Sequence, residues 1–104
     1  MTSREIIQNC KQSLGAHYGP RFKGLILYGS LARQEDTPTS DLDLLVLLDR
    51  PFDYFEELRE IVDLLYPLQL QSERLISAKP ALFADFDSGR IQLYRNAKRE
   101  GVAV

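Results

Sequence analysis

Residues Lys23–Leu48, KGLILYGSLARQEDTPTSDLDLLVLL, contain two apolar segments separated by a polar one. The first, Lys23–Tyr28, is a short apolar run that predicts a buried strand, and Gly29-Ser30 ends it at once. The second, Asp41–Leu48, is apolar on both faces after its first three residues, which is typical of a strand inside a sheet. Between them, Glu35–Thr39 is polar and contains a proline. The stretch therefore predicts two buried strands with a glycine turn and a loop between them.

Segments with helical periodicity lie on both sides of these strands. The order of elements predicts an α/β (α+β) domain over residues 1–104, with a small mixed β-sheet covered by helices. The remaining predicted elements are a helix from Ser3 to about Ala16, a helical turn at Leu31–Gln34, a helix capped by Asp53 and ended by Pro67, a third strand at Leu68–Ser72 (LQLQS), a helix at Ile91–Arg99 capped by Gly101, and a last short strand. The aromatic residues Tyr54, Phe55 and Tyr66 are expected to pack the second long helix on the sheet, and any exposed members of this set could instead serve an interface.

Composition limits the kind of protein. The chain has 104 residues, 44% apolar and 27% charged, which is enough for one small core. A formal net charge of −2 excludes a generally basic nucleic-acid coat. Ten of the 15 acids lie within residues 35–63, and this predicts a local cation site between anion-binding flanks. One cysteine excludes an internal disulfide, and without a long apolar run or a leader the cytoplasm is the expected compartment.

Asp41 and Asp43 begin the second strand. Side chains alternate across a strand, so both carboxylates point to the same face, about 6.6 Å apart along the backbone. Such a pair can grip one cation, and Mg²⁺ typically binds through one or two carboxylates plus substrate phosphates. The Gly29-Ser30 turn lets backbone N–H groups approach phosphate oxygens, and the Ser30 hydroxyl adds a donor. Together these residues predict a cradle for a metal and a triphosphate, and hence in-line attack on a phosphoryl group.

Two motifs carry a resemblance to a known family. Gly29-Ser30-Leu31-Ala32-Arg33, followed by Ser40-Asp41-Leu42-Asp43-Leu44, resembles the signature of the polymerase-beta-like nucleotidyltransferases. The length is similar to that of their minimal branch, stand-alone domains often paired with a HEPN partner in toxin–antitoxin operons. Residues 94–102, YRNAKREGV, also resemble the last helix and turn of that branch. The resemblance implies the polymerase-beta-like nucleotidyltransferase fold and a nucleotidyl transfer that uses Mg²⁺, or Mn²⁺, at a two-metal site.

The same resemblance assigns roles to individual residues. The nucleotide-binding residues it implies are Gly29, Ser30, Arg33 and Ser40, and the catalytic metal ligands are Asp41 and Asp43. Two readings of Arg33 stay open, pairing with phosphate or bracing the loop, and bracing is favoured. Gln34 stands where many members of the family have glycine, which is expected to stiffen the loop.

A third metal-binding carboxylate is not evident in the sequence. The family places it on the next strand, and the predicted strand at Leu68–Ser72 carries Gln69 and Gln71 on that face. A neutral amide offers one carbonyl oxygen and no charge, so it is a poor substitute. Glu73 is the nearest acid, and it is either the third metal ligand or a solvated turn residue. Nucleotide binding is therefore better supported by the sequence than turnover.

Two main functions follow from the resemblance. The first is an enzyme that moves a nucleoside monophosphate, AMP from ATP, onto a partner protein; a HEPN-type RNase as acceptor would make the chain an antitoxin. The second is a nucleotide-binding module that has lost chemistry and neutralises its partner by masking it. Transfer to a small molecule such as an aminoglycoside is a weaker third reading, because such enzymes carry additional domains. Direct nucleic-acid binding is not expected, and a homo-oligomer stays open.

Overall fold

Four strands and five helices follow one another along the chain, with a 3₁₀ turn at Gly19–Arg21. The computed structural model describes residues 1–104. The strands are β1 (Phe22–Tyr28), β2 (Leu42–Leu48), β3 (Ile76–Leu82) and β4 (Val102–Ala103). The helices are α1 (Ser3–Tyr18), α2 (Gly29–Ala32), α3 (Tyr54–Gln69), α4 (Phe83–Ser88) and α5 (Gln92–Glu100).

The strands form one mixed sheet in the order β3-β2-β1-β4. β1 pairs antiparallel with both β2 and β4, whereas β2 and β3 are parallel. This arrangement confirms the predicted small mixed sheet covered by helices, and it is compatible with the polymerase-beta-like nucleotidyltransferase fold. The beginning of β2, the end of β1 and the beginning of β3 meet at one edge of the sheet, where Asp43 lies.

Helices cover both faces of the sheet, which explains why β2 is apolar on both sides. On one face, α1 and α3 contribute Ile6, Cys10, Leu14, Ile61 and Leu65 to a core that includes the even-numbered residues of β2. On the other face, α4 and α5 pack Phe86 and Ala97 on Leu45 and Leu47. Cys10 is fully buried in the core beneath α1 and α3, and burial raises the pKa of its thiol to about 11. No helix combines the length and the apolar character that a membrane crossing requires.

Helix boundaries follow their caps. Helix α1 begins at Ser3 as predicted, and Thr2 is its N-cap, because the Thr2 hydroxyl accepts from Glu5 N while the Glu5 carboxylate accepts from Thr2 N. The helix continues through Gly15 to Tyr18, two residues beyond the predicted end. Asp53 caps α3 as predicted, with its carboxylate accepting from Glu56 N at 3.0 Å.

The predicted third strand at Leu68–Ser72 is wrong. α3 continues through Pro67 to Gln69, and the observed third strand is β3. Leu68 packs against the core while Leu70 is 69% exposed, so the apparent alternation arises at the end of a helix. Pro67 lacks an N–H and so removes one hydrogen bond of the helix, but it does not end the helix as predicted.

Gly101 allows α5 to end directly against β1. A Cβ on Gly101 would overlap Ala97 O and lie 2.8 Å from Ile26 Cγ2 and 3.0 Å from Leu27 O. Gly101→Ala is therefore expected to lower the free energy of unfolding by about 2 kcal/mol, since backbone must move to admit the methyl group. Thermal or denaturant unfolding measures the change.

The matched control for that substitution is Gly15→Ala within α1. A Cβ there would make an ordinary contact, 3.7 Å from the Phe22 ring. The control is expected to stabilise the chain by about 0.5–1 kcal/mol, because alanine is the better helix former. Equal effects of the two substitutions would contradict the close approach of Gly101 to β1.

Candidate active site

Asp43 lies at the centre of the edge where three strands meet. Its Cα pairs with Tyr28 of β1 on one side and with Ser77 of β3 on the other. Asp41 immediately precedes β2, two residues from Asp43, so alternation directs both carboxylates to the face covered by α4 and α5. Both aspartates are partly exposed. The carboxylate pair therefore stands open to solvent beside the end of β1.

Gly29 directly follows β1 and approaches the Asp43 carboxylate. Its φ of +76° lies in the left-handed region that favours glycine. A Cβ at this position would overlap Asp43 Oδ2 and lie 3.2 Å from Asp43 Cγ. The turn and the carboxylate thus form one site, and only glycine fits between them.

The pKa of the Asp43 carboxyl group depends on its burial and on the charged residues around it. Burial and then the neighbouring Asp41 charge raise the pKa of Asp43, while Lys79 and Arg33 oppose that rise. Burial also raises the pKa of Tyr28 to about 12, with the Asp43 charge adding to the effect. The phenol is therefore protonated at neutral pH. The carboxylate pair carries a repulsion that a bound cation would relieve.

Arg33 joins the glycine turn to the last helix. Its guanidinium lies 3.3 Å from Glu35 Oε2 and 3.6 Å from Glu100 Oε2. These two contacts are what is required for Arg33 to brace the loop. Arg33 also remains close enough to Asp43 to lower the pKa of its carboxyl group. Gln34 has a φ of +59°, a left-handed conformation that a glycine would adopt at lower cost.

The loop that leads into Asp41 is held by a residue far along the chain. Arg74 Nη1 donates to Thr37 O at 2.7 Å and to Ser40 O at 3.0 Å, and Nη2 donates to Asp36 Oδ2 at 3.1 Å. The Ser40 hydroxyl accepts from Thr37 N at 2.9 Å and closes the same loop. Sequence reasoning did not identify Arg74, because its three partners lie more than 30 residues away.

Arg74→Met is expected to lower the free energy of unfolding by about 1–2 kcal/mol, since the guanidinium makes charged hydrogen bonds to two loop carbonyls. Arg74→Lys should restore only part of the loss, because one ammonium cannot reproduce the planar donor geometry. Hydrogen exchange of residues 36–41, together with denaturant unfolding, measures both effects. Arg90→Met is the control, since Arg90 pairs with Asp85 on an exposed surface. Equal effects of Arg74→Met and Arg90→Met would contradict the role of Arg74 in holding the loop that precedes Asp41.

The structure gathers no third carboxylate with Asp41 and Asp43. No group of three acids, histidines or cysteines stands together anywhere in the chain in a way that could hold a metal ion. Glu73 is exposed in the turn before β3, where it lines a surface pocket with Met1 and Pro38.

The strand beside Asp43 carries other residues than the predicted glutamines. Gln69 ends α3, where its side chain accepts from Ile76 N at 2.7 Å and donates to Arg74 O at 3.1 Å. Gln71 lies in the following turn. The residues of β3 that share the Asp43 face are Ser77, Lys79 and Ala81, of which Ser77 lies directly opposite Asp43. Placing Gln69 and Gln71 next to the carboxylate pair was therefore wrong, because the true third strand begins later.

The comparison with known proteins agrees with this geometry. The profile of the family described as "Nucleotidyltransferase domain" matches residues 4–98. The chain belongs to this nucleotidyltransferase family. A relative from Methanocaldococcus jannaschii is 35% identical over 78 residues, which are 75% of this chain and 72% of the relative. That relative carries the provisional name of a protein adenylyltransferase. The resemblance read from Gly29-Ser30 and from Asp41 and Asp43 is thereby confirmed at the level of the family.

The donor set of this nucleotidyltransferase suits the divalent metal that its family generally uses. Asp41 and Asp43 are hard oxygen ligands, and the repulsion between them favours a bound cation. The Gly29 turn closely approaches the Asp43 carboxylate, so its backbone N–H groups would be available to a nucleotide phosphate bound beside a metal ion held there. The residues present therefore fit one metal ion together with a nucleotide phosphate.

Proposed function

We propose that this nucleotidyltransferase transfers AMP from ATP to a hydroxyl group of a partner protein and that Mg²⁺ is required. The observation that carries the proposal is the contact of the Gly29 turn with the carboxylate of the Asp41–Asp43 pair. The resemblance implies a HEPN-type RNase as the acceptor, in which case the chain acts as an antitoxin. The residues proposed to bind the nucleotide are Gly29, Ser30, Arg33 and Ser40.

The proposed reaction is an in-line displacement at the α-phosphorus of ATP. A bond forms between the acceptor oxygen and the α-phosphorus, and the bond from that phosphorus to the β-phosphate oxygen breaks. Pyrophosphate leaves with the bonding electron pair, and the hydroxyl proton passes to solvent. Bound Mg²⁺ would neutralise charge that develops on the phosphates. Asp41 and Asp43 would hold that ion, while the backbone of Gly29 and Ser30 orients the triphosphate.

Two observations support a protein as the acceptor. The relative from Methanocaldococcus jannaschii is named for the adenylylation of protein. In addition, α3 leaves Phe55, Val62 and Tyr66 at least half exposed, so the expectation that Phe55 and Tyr66 pack on the sheet is wrong. An apolar stripe of this kind is typical of a protein-binding surface.

A nucleotide-binding module without turnover is the second candidate. The observation that favours it is the lack of a third acid beside Asp41 and Asp43. Such a module would bind Mg²⁺-ATP and its partner without labelling the partner. The two candidates therefore differ in chemistry and not in binding.

The deciding experiment is transfer of label from ATP carrying a labelled α-phosphate. The first acceptor to test is the product of the neighbouring reading frame, if it encodes a small helical protein with an R-x-x-x-x-H motif. Labelling of that protein, lost in Asp41→Asn, supports the enzyme. Stable complex formation and ATP binding without labelling would favour the binding module, and labelling of an aminoglycoside alone would favour the small-molecule reading.

A further inference from the structure

Lys79 stands on β3 beside the carboxylate pair. Ser77 is directly opposite Asp43, and Lys79 is two residues further along β3, opposite Leu45. Side chains two residues apart point to the same face, so Lys79 shares a face with Asp43. The offset is roughly 6.6 Å along the strand and 4.8 Å across it, which a lysine side chain can span.

The Lys79 ammonium is not committed to another partner. The ion pairs that the chain forms include neither Lys79 nor the two aspartates. Arg33, the other basic residue of the site, is held by Glu35 and Glu100. Lys79 is also partly buried, so its charge is less screened than that of a surface lysine.

We propose that Lys79 binds the triphosphate directly and occupies the place that a second divalent cation would need, so that the site holds a single Mg²⁺. This inference rests on the proposed nucleotidyl transfer. Asp41 and Asp43 supply two negative charges, which one Mg²⁺ balances. A second divalent ion would find no further carboxylate and would be repelled by the Lys79 ammonium. Lysine is instead a point charge suited to phosphate oxygens.

The proposal is tested by binding of a non-hydrolysable ATP analogue in the presence of a metal chelator. Lys79→Met is expected to weaken this metal-free binding about tenfold, and Lys79→Arg to retain it, because the positive charge remains. Lys11→Met is the control, since Lys11 is exposed on α1, on the other side of the sheet. Equal affinities for Lys79→Met and Lys11→Met would overturn the direct contact.

The number of bound metal ions is a second readout. Electron paramagnetic resonance with Mn²⁺ and the same analogue should count a single ion for each wild-type chain. Lys79→Glu, which supplies a third acid, should raise the count to two. Two Mn²⁺ ions in the wild-type complex would overturn the inference. Such a result would leave the proposed function intact, because that function is tested by labelling of a partner from ATP and not by the number of bound ions.

Discussion

Replacing Asp41 and Asp43 together by asparagine is expected to abolish Mg²⁺-dependent ATP binding while the chain stays folded. The two carboxylates lie where β1, β2 and β3 meet, and no third metal-ligating side chain is grouped with them. Asparagine keeps the shape of each side chain and removes its charge. Calorimetric titration with Mg²⁺-ATP measures the loss, and unchanged affinity would show that the metal is held elsewhere.

The folded state of this double variant should be at least as stable as that of the wild type without metal. Burial and the Asp41 charge raise the pKa of Asp43, so the folded chain binds that proton more tightly than the unfolded chain. The stability of the metal-free wild type therefore falls as pH rises from the ordinary aspartate range through the folded-state pKa of Asp43. The variant with two asparagines lacks this pH-dependent contribution to its free energy of unfolding. Thermal unfolding of both proteins over that pH range measures the difference in stability.

A matched control is present in α4. Asp85 and Asp87 have the same spacing, but they pair with Arg90 and Lys98 on the surface. Replacing both by asparagine should leave Mg²⁺-ATP affinity unchanged. A similar loss of affinity in both double variants would point to a general charge effect and not to a metal site at Asp41 and Asp43.

The sequence predicts those features of the site that depend only on residues close together in the chain. Alternation along a strand places Asp41 and Asp43 on one face, whatever the rest of the fold does. The apolar character of β2 on both sides predicts helices on both faces, and both are present. Gly29 was predicted to allow phosphate to approach, but its contact with Asp43 depends on the pairing of β1 with β2.

β3 was missed because its composition is atypical of a strand. It reads ISAKPAL, with a lysine and a proline among small residues. Pro80 is tolerated because β3 is the edge strand, where a missing N–H need not break a ladder between two neighbours. Lys79 could be placed beside Asp43 only once the parallel register was known. Long-range contacts of this kind leave no periodic signal in the sequence.

Gly29→Val is expected to weaken Mg²⁺-ATP binding at least about tenfold, or about 1.4 kcal/mol. Two causes act together. The β-branched side chain disfavours the φ of +76°, so the turn that presents its N–H groups to phosphate must change. The added Cβ would also overlap Asp43 Oδ2 and displace the carboxylate that holds the metal. Calorimetric titration measures the affinity, and circular dichroism checks that the variant is folded.

Gly19→Val separates the two causes. Gly19 has a φ of +57°, but a Cβ there has no heavy atom within 4 Å, so this variant introduces backbone strain alone. It should lose stability and keep nucleotide affinity. Combining Gly29→Ala with Asp43→Ala supplies the converse test, because removing the carboxylate relieves the overlap while the positive φ remains. The stability cost of Gly29→Ala should therefore be smaller in the Asp43→Ala background than in the wild type. An equal cost in both backgrounds, or full nucleotide affinity in a folded Gly29→Val chain, would contradict a site built from the glycine turn and the carboxylate together.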